Sequence, residues 1–386
     1  MDHEFKGEIM LMSRQPKKKI RYAVVGLGYI AQIAVLPSFK NARKNSRLVA
    51  LVSGDREKLK KVGEKYKIDK CYLYSEFEDC LRRGEVDAIY IATPNFYHRN
   101  IMETAAKYGI HVLCEKPMAV TTEDCLGMMS VAEKNNIQLM IAYRLHFEAA
   151  NLEAIKITQS KRIGEAKIFN SVFTMQIRDQ NNIRLHESEK GGGPLYDIGI
   201  YCINAARYLF KSEPIEVFAM SGNSRDSRFK KTDEIVSAIM KFPDGKMANF
   251  CISFGAFASA DYDLIGTKGR IRLEKGYQYA YPMTLKTYED KKITTKKYAR
   301  RDQFSPELIY FSECIQKKKK PEPSAEEGLA DVKIIEALLL SLDLGSPIRL
   351  DEINKRTRPN EQQKITKPSF ARPKLFNVVA PSGEKQ

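Results

Sequence analysis

The alternation of apolar and polar residues divides the chain into two parts. Up to about residue 143, short β-branched runs alternate with amphipathic helical segments, starting at Ile20–Gly26 and ending at Leu139–Tyr143. Strands that alternate with helices at this spacing are typical of a parallel, doubly wound sheet. The pattern therefore predicts an α/β domain over residues 20–143.

The second part of the chain follows a period of two. Predicted strands such as Glu234–Lys241 and Lys246–Phe254 are joined by a Pro-Asp-Gly turn. Residues 144–350 are therefore predicted to form an α+β domain with a mostly antiparallel sheet. Residues 351–386, which contain several prolines and little hydrophobic periodicity, are predicted to be a mobile tail. Residues 1–19 are predicted to be a short basic arm.

The net charge of +16 is concentrated at the two ends of the chain. Residues 1–19 carry +2 and residues 355–386 carry +6, which is half of the total excess. Short basic runs of this kind are more often solvated tails than binding surfaces, and no known nucleic-acid module accompanies them. A nucleic-acid partner is therefore not expected.

The seven cysteines are scattered and never spaced as C-x-x-C, which predicts reduced thiols rather than disulfides or a zinc site. The five histidines form no cluster, which argues against a catalytic metal. No apolar run reaches the length of a membrane span, and the first residues do not have the pattern of a secretion signal. These features predict a soluble, cytoplasmic protein that does not contact a membrane.

A glycine motif stands at the junction of the first predicted strand and helix. The run Gly26-Leu27-Gly28-Tyr29-Ile30-Ala31 matches G-x-G-x-x-A. In such a motif Gly26 allows a tight turn, Gly28 lets the backbone approach a pyrophosphate, and the helix N-terminus faces the phosphates. A glycine turn can also simply connect a strand to a helix, but this placement favours a Rossmann domain that binds a dinucleotide, with Tyr29 and Ile30 among the contacts.

The end of the second predicted strand indicates which dinucleotide is bound. Enzymes that use NAD usually carry Asp or Glu there to hold the ribose 2′-hydroxyl. This chain has Ser53-Gly54, followed by Arg56 and Lys58, which suit a 2′-phosphate. Both cations can also be the solvated face of a charged helix, and Asp55 keeps NAD as the alternative cofactor. We predict a preference for NADP.

The tripeptide Glu115-Lys116-Pro117 follows another predicted strand of the same sheet. Proline restricts the residue before it and the exit of the chain, so Lys116 is expected at the carboxyl edge of the sheet, where ligands bind. Pro94, Asn95 and His98 follow the neighbouring strand. We expect these residues, with Glu115 and Lys116, to contribute to the cofactor site.

Together these motifs resemble the family of glucose–fructose oxidoreductase, inositol dehydrogenase and the rhizopine-catabolism proteins (GFO/IDH/MocA). The resemblance covers roughly residues 20–350 and is greatest to the glucose–fructose oxidoreductase branch. It implies hydride transfer between a nicotinamide cofactor and a sugar, and a second domain whose large open sheet forms a dimer or tetramer interface. Further stretches carry the likeness: Cys114–Ala119, Tyr143–His146 and Gly191–Tyr201.

The resemblance implies that Lys116, Asp197 and Tyr201 are the catalytic residues. Asp197 and Tyr201 are four residues apart and would share one face of a helix. A tyrosine hydroxyl is a poor base at neutral pH, but a nearby ammonium such as Lys116 stabilises the phenolate. Our hypothesis makes Tyr201 the general acid/base, Lys116 its electrostatic partner and Asp197 the orienting group. Taken singly, an interface aromatic and a carboxylate at a helix start would explain Tyr201 and Asp197 equally well.

Weaker signals predict substrate contacts. Polar and aromatic groups suit a polyol, which offers hydroxyls and apolar C–H faces, although they suit a folded surface loop equally. The candidates are Arg144, His146, Arg184 and Tyr277.

Two alternatives to a sugar–sugar transhydrogenase stay open. Glucose–fructose oxidoreductases carry an export signal and a long proline-rich arm that helps to retain the cofactor, whereas about nineteen residues precede the first strand here. An aldose dehydrogenase with a dissociable cofactor is therefore one alternative. The other is a non-catalytic regulator of the same fold that binds a dinucleotide, although the presence of Lys116 counts against it.

Overall fold

The computed structural model describes residues 18–290, 292–353 and 357–383. The basic arm predicted over residues 1–19 therefore lies outside the described residues, apart from Lys18 and Lys19. Two sheets organise the described chain, and each is built by one of the two parts that the hydrophobic pattern distinguishes.

The first sheet is parallel, as predicted, with the order β3-β2-β1-β4-β5-β6 among the described strands. Its central strands are buried on both faces, which explains their continuous apolar sequence. The strand order reverses at β1 and β4, and ligands bind at such a point in doubly wound sheets. The strands are β1 (Ile20–Val25), β2 (Ser46–Val52), β3 (Cys71–Tyr72), β4 (Ala88–Ile91), β5 (His111–Glu115) and β6 (Leu139–Ala142).

Helices cross over between these strands. Side-chain caps set two helix starts, because the Asp55 carboxylate accepts from Lys58 N at 2.9 Å and the Thr121 hydroxyl from Asp124 N at 3.0 Å. A π-helical turn over Ala31–Val35 leads into the first α-helix. The helices are α1 (Leu36–Ala42), α2 (Arg56–Tyr66), α3 (Phe77–Arg82), α4 (His98–Lys107) and α5 (Thr122–Lys134).

The second sheet is mostly antiparallel, as predicted. Its described strands are β7 (Ala166–Thr174), β8 (Glu216–Gly222), β9 (Ile235–Lys241), β10 (Met247–Ser253), β11 (Ser259–Gly266), β12 (Gly269–Glu274), β13 (Met283–Glu289), β14 (Lys292–Tyr298) and, after β15 (Arg301–Asp302), β16 (Ile348–Arg349). They lie in the order β14-β13-β12-β11-β7-β10-β9-β8-β16, and β7 and β10 pair in parallel. The sequence pattern does not predict β13 or β14. Strand β14 is exposed along most of its length and shows no alternation, whereas β13 alternates between buried and less buried positions.

Helices cover one face of the second sheet and leave the other open. They are α6 (Ala149–Gln159), α7 (Ile200–Phe210) and α9 (Ala325–Leu344). The opposite face exposes apolar side chains of the central strands, so it is a candidate interface. These side chains are Ile168, Val172, Met220, Ile235 and Ile239.

One helix of the second part returns to the first sheet. Helix α8 (Ser305–Lys317) packs against α1, β1 and β2. The hydroxyls of Tyr22 and Ser312 are 2.8 Å apart in this buried contact. Strands up to β6 therefore build the first sheet and strands β7 to β14 with β16 build the second, whereas α8 packs with the first sheet. None of the helices in the described ranges combines the length and apolar character needed to cross a membrane.

The prediction of a mobile tail is wrong for residues 357–383, which pack against the body of the chain. Strand β17 (Lys367–Pro368) pairs with β15, and Leu375 is buried among apolar residues of the first part. The side chain of Gln32 exchanges two hydrogen bonds with the backbone of Phe376, at 2.9 and 2.8 Å. Backbone hydrogen bonds and single apolar anchors hold this extended segment, so its sequence needs no hydrophobic period.

Candidate active site

A cleft of about 930 Å³ lies between the carboxyl edge of the first sheet and the second sheet. Loops that follow β1, β2, β4, β5 and β6 form one wall. The end of β7, the turn before α7 and the segment 277–280 form the other. The cleft is therefore at the place where doubly wound sheets bind ligands.

The glycine motif forms a backbone cradle at the floor of this cleft. Gly26 has a φ of 95°, and a Cβ on it would lie 2.6 Å from the Ala92 carbonyl oxygen, so a side chain cannot be accommodated. A Cβ on Gly28 would meet nothing within 4 Å. Gly26 and Gly28 line the cleft together with Tyr29 and Ile30. The bare backbone and the helix that follows fit the pyrophosphate of a dinucleotide.

Of the two predicted phosphate-binding cations after β2, one reaches the cleft and the other does not. Ser53, Gly54 and Lys58 line the cleft, and the Lys58 side chain is 16% exposed with its Nζ 4.0 Å from Asp55 Oδ2. The structure does not bring Arg56 to the cleft. Its side chain is 78% exposed and lies 3.9 Å from Glu76 Oε1, because the first turn of α2 directs it outwards.

The residues that follow β4 also have two different roles. Pro94 and Asn95 line the cleft, and Asn95 Nδ2 donates to the Gly191 carbonyl at 2.7 Å. His98 is fully buried behind them, with Nδ1 3.0 Å from Pro117 O and Nε2 3.1 Å from Thr93 O. His98 therefore joins two cleft loops from behind and is not itself among the lining residues.

Asp197 holds two cations at the centre of the cleft. Lys116 Nζ donates to the Asp197 carbonyl at 2.7 Å and to Oδ1 at 3.3 Å. Arg184 Nε donates to Oδ2 at 2.6 Å. Burial acts to raise the pKa of Asp197, but the charges of Arg184 and Lys116 outweigh it and lower the pKa to about 2. The carboxylate is therefore ionised at neutral pH and orients both cations.

Tyr201 lies against Lys116 and against a further cation, Arg144. Lys116 Nζ is 4.8 Å and Arg144 Cζ is 5.0 Å from the centroid of its ring. The edge of the ring also packs on Phe173, with centroids 5.6 Å apart. Asp197 sits in a π-helical turn immediately before α7, and Tyr201 sits in the first turn of α7. Both side chains line the cleft.

The predicted substrate contacts are only partly brought together. Arg184 and Arg144 line the cleft, and the buried Arg144 guanidinium donates to the Gln303 side chain and to Tyr277 O. Tyr277 also lines the cleft, but its hydroxyl pairs with Ser171 Oγ at 2.7 Å.

His146 lies outside the cleft. It is wholly buried in the core, where Nε2 is 2.8 Å from Asn204 Oδ1 and Nδ1 is 3.3 Å from Glu322 Oε2. The structure therefore does not place it for substrate contact, because the 3-10 turn after β6 directs it towards α7.

One carboxyl group lines the cleft and a second is buried behind it. Glu115 lines the cleft and accepts a hydrogen bond from the Tyr90 hydroxyl at 2.7 Å. Burial raises the pKa of Glu115, and it raises the pKa of Glu307 well above the ordinary range, with the charge of Glu115 adding to the effect. Among the described residues, no hydrogen-bond partner reaches the Glu307 carboxyl oxygens.

Sequence analysis misses several residues that line the cleft. Tyr279 lines the cleft, with its ring centroid 5.4 Å from Arg144 Cζ. It belongs to the same aromatic segment as Tyr277, and the aromatic composition of that segment is the signal that could have predicted it. Pro381 and Ser382 reach the cleft from the C-terminal segment, and no local pattern in the sequence marks them.

The fold and the site together define a class of protein. A glycine cradle at the switch point of a doubly wound sheet, with a lysine of the same domain that contacts an aspartate and a tyrosine of the second domain, is the arrangement of a dinucleotide-dependent oxidoreductase. Residues 20–143 match the oxidoreductase family with an NAD-binding Rossmann fold, GFO/IDH/MocA, and residues 151–272 match the GFO/IDH/MocA C-terminal domain. The chain belongs to the GFO/IDH/MocA oxidoreductase family.

Individual relatives cover most of the chain. The crystal structure of the aldose–aldose oxidoreductase from Caulobacter crescentus is 36% identical, with a TM-score of 0.82 over 86% of this chain and 100% of that one. The D-xylose 1-dehydrogenase (NADP(+)) of Haloarcula marismortui is 29% identical over 86% of this chain and 93% of its own. The 3-ketoreductase KijD10 from Actinomadura kijaniata, 23% identical with a TM-score of 0.76 over 84% of this chain and 98% of that one, shares the fold.

Proposed function

We propose that this protein is an NADP-dependent oxidoreductase that transfers a hydride between the nicotinamide and a sugar. The observation that carries the proposal is the convergence of Lys116, Asp197 and Tyr201 on a cleft whose floor is the glycine cradle. The similarity to an NADP-dependent xylose dehydrogenase and to an aldose–aldose oxidoreductase supports both the cofactor and the substrate class.

The cofactor supplies hydride transfer, and the side chains of the protein supply proton transfer and orientation. A nicotinamide cofactor, when bound, accepts the hydride from the carbon that carries the reacting hydroxyl. The Tyr201 hydroxyl oxygen, as phenolate, takes the proton of that hydroxyl and returns it in the opposite direction. The ammonium of Lys116 and the guanidinium of Arg144 lie over the Tyr201 ring, where their positive charge favours the negative charge that develops during proton transfer. Asp197 holds Lys116 and Arg184 in position, so it is the orienting group.

Sugar contacts are proposed on the side of the cleft that belongs to the second domain. Arg144 and Arg184 supply donors for hydroxyls, and the ring of Tyr279 supplies a surface for C–H faces. The Tyr277 ring is only 1% exposed and supports this wall from behind. The buried His146 has no such role in this proposal. At the other end of the cleft, Ser53 and Lys58 are proposed to select the 2′-phosphate of NADP.

We also propose that the open face of the second sheet forms a homodimer or homotetramer interface. Apolar side chains such as Val172, Met220 and Ile239 are exposed there in the single chain, and burying them would remove apolar surface from water. We propose a cytoplasmic location because the cysteines, all within the described ranges, are unpaired and mostly buried.

The first test is an absorbance scan of the purified protein in the band of reduced nicotinamide, repeated with a panel of aldoses with and without added NADP. We expect the band to grow with at least one aldose in the wild type and not in the Lys116→Ala variant. A band that grows without added NADP indicates a retained cofactor and a sugar–sugar transhydrogenase. Binding of NADP without turnover of any aldose would contradict the proposal and favour the regulatory alternative.

A further inference from the structure

Residues 375–383 run from the core of the first domain to the cleft, which Pro381 and Ser382 line, and we call them the C-terminal strap. At its start, Leu375 is buried in the core of the first domain. Gln32 Nε2 donates to Phe376 O at 2.9 Å, and Phe376 N donates to Gln32 Oε1 at 2.8 Å. Gln32 lies in the turn that follows the glycine cradle, so the strap is fixed directly beside the cradle.

The next residue of the strap reaches the end of β2. Asn377 Nδ2 donates to Asp55 Oδ2 at 3.2 Å and to Glu57 Oε2 at 3.3 Å. The other oxygen of Asp55 accepts from Lys58 N at 2.9 Å. Both oxygens of the Asp55 carboxylate are therefore occupied, two residues beyond Ser53, which stands where NAD enzymes usually carry the carboxylate that holds the ribose.

The far end of the strap is tied to the second domain. Arg178 N donates to the Pro381 carbonyl at 3.0 Å, and a Cβ on Gly383 would lie 3.0 Å from Arg178 Cβ. Pro381 and Ser382 line the cleft itself. The strap thus has contacts on both walls of the cleft and contributes two lining residues between them.

We propose that the C-terminal strap is the outer wall of the dinucleotide site and that Asn377 is a positioning residue that slows the release of NADP(H). The proposal rests on the proposed function, because it takes NADP as the occupant of the cleft. Loosening the strap opens the cleft beside the cradle and at the end of β2. A slowly released cofactor favours a reaction in which one sugar is oxidised and a second is reduced at the same nicotinamide.

Asn377 offers variants that keep the backbone conformation. Its φ is 48°, a left-handed value that Asn, Asp and Gly adopt more readily than other residues. Asn377→Asp is nearly isosteric and sets a third carboxylate against Asp55 and Glu57. Asn377→Gly removes both hydrogen bonds without backbone strain. The matched control is Asn360→Asp in the same C-terminal segment, whose side chain caps a local turn that Asp caps equally well.

The experiment measures the dissociation rate of NADPH by stopped-flow fluorescence, with excess NADP as the chase. We expect a rise of roughly three- to tenfold in Asn377→Gly, from the loss of two hydrogen bonds. The rise should be larger in Asn377→Asp, because like charges repel, and the rate should be unchanged in Asn360→Asp. Thermal unfolding without cofactor checks that each variant is folded. If Asn377→Asp is not folded, Asn377→Gly carries the test.

The outcomes test the proposal for the strap and the proposed function separately. Equal dissociation rates in the wild type and the folded Asn377 variants overturn the strap, and the proposed function stands if the wild type still oxidises an aldose with NADP. A wild type that binds no NADPH overturns both. Faster release of NADPH in the Asn377 variants, with an unchanged rate in Asn360→Asp, supports the proposal for the strap.

Discussion

The Lys116 ammonium lies 4.8 Å from the centroid of the Tyr201 ring while donating at 2.7 Å to the carbonyl of Asp197. Lys116 follows a strand of the first sheet, whereas Asp197 and Tyr201 belong to the start of α7 in the second domain. The contact therefore joins the two domains at the cleft. Any change at these residues affects the chemistry and the junction together, so variants of Tyr201 and Asp197 need a measurement of binding or stability beside turnover.

Removing the Tyr201 hydroxyl should remove the general acid/base. For Tyr201→Phe we expect turnover of the responding aldose to fall by at least about 100-fold, which is the lower range for general acid–base catalysis. NADPH affinity, measured by fluorescence titration, should change by less than about twofold because the ring still packs on Phe173. Turnover close to that of the wild type would exclude Tyr201 as the acid/base.

Neutralising Asp197 should leave two partly buried cations without their shared partner. Asp197→Asn is isosteric, and we expect it to reduce turnover and to lower the free energy of unfolding by about 3 kcal/mol at pH 7. The pKa of Asp197 in the folded protein is about 2, below its value in an unfolded chain. Its contribution is therefore fully present above about pH 4 and is lost as the pH falls towards 2.

Urea unfolding of the wild type and Asp197→Asn over a pH series checks this dependence. The difference in stability between the two proteins should be constant from pH 5 to 8 and should shrink below about pH 4. A difference that grows towards acid pH would contradict the assignment of an ionised, doubly paired carboxylate.

Cofactor selection should depend on Lys58 and little on Arg56. For Lys58→Ala we expect the KM for NADP to rise by about tenfold or more, since a hydrogen bond to a charged phosphate is lost. The KM for NAD should stay nearly constant, because NAD has no 2′-phosphate. Arg56→Ala is the matched control and should change the KM for NADP by less than about threefold. Equal effects of the two variants on the KM for NADP would show that Arg56 contributes to NADP binding although its side chain is directed outwards.

Glu307 should limit stability at high pH. Burial raises its pKa well above the ordinary range, so the folded protein keeps a proton that the unfolded chain loses above about pH 4.5. Stability of the wild type is therefore expected to fall as the pH rises through this window, and Glu307→Gln removes the effect. We expect the variant to gain at least about 1 kcal/mol over the wild type between pH 5 and pH 8.

The control for this measurement is Glu313→Gln, an exposed glutamate of the same helix that pairs with Lys317. Its stability relative to the wild type should not grow with pH. A Glu307→Gln variant whose advantage is independent of pH would show that the carboxyl is ionised in the folded protein.

The open face of the second sheet should carry the assembly. Val172→Lys combined with Ile239→Lys places two charges on this face, and we expect the assembled species to dissociate to monomers at micromolar concentration in sedimentation velocity. Leu344→Lys, at an exposed apolar position at the end of α9, is the control and should leave the assembly unchanged. An unchanged sedimentation coefficient in the double variant would place the interface elsewhere.

The sequence alone determined the features that depend on local order. The alternation of apolar strands and helices predicted the parallel sheet, and Gly26 with Gly28 predicted the cradle, because a tight turn and a close backbone approach need glycine at those positions. The tripeptide at Lys116 likewise marked a strand end at the ligand-binding edge. The bounds of α2, Arg56–Tyr66, are likewise set locally, by the capping Asp55 and an amphipathic period.

Only the tertiary structure decided which distant residues meet. Lys116 and Asp197 are 81 positions apart and Gln32 and Phe376 are 344 apart, and no local pattern encodes such pairs. Their burial in the folded chain gives His98 and His146 structural contacts. The first turn of α2 directs Arg56 away from the cleft. The C-terminal segment was predicted to be mobile because it lacks a period of its own. It is ordered because it satisfies its backbone and apolar groups on surfaces that exist only after the rest of the chain has folded.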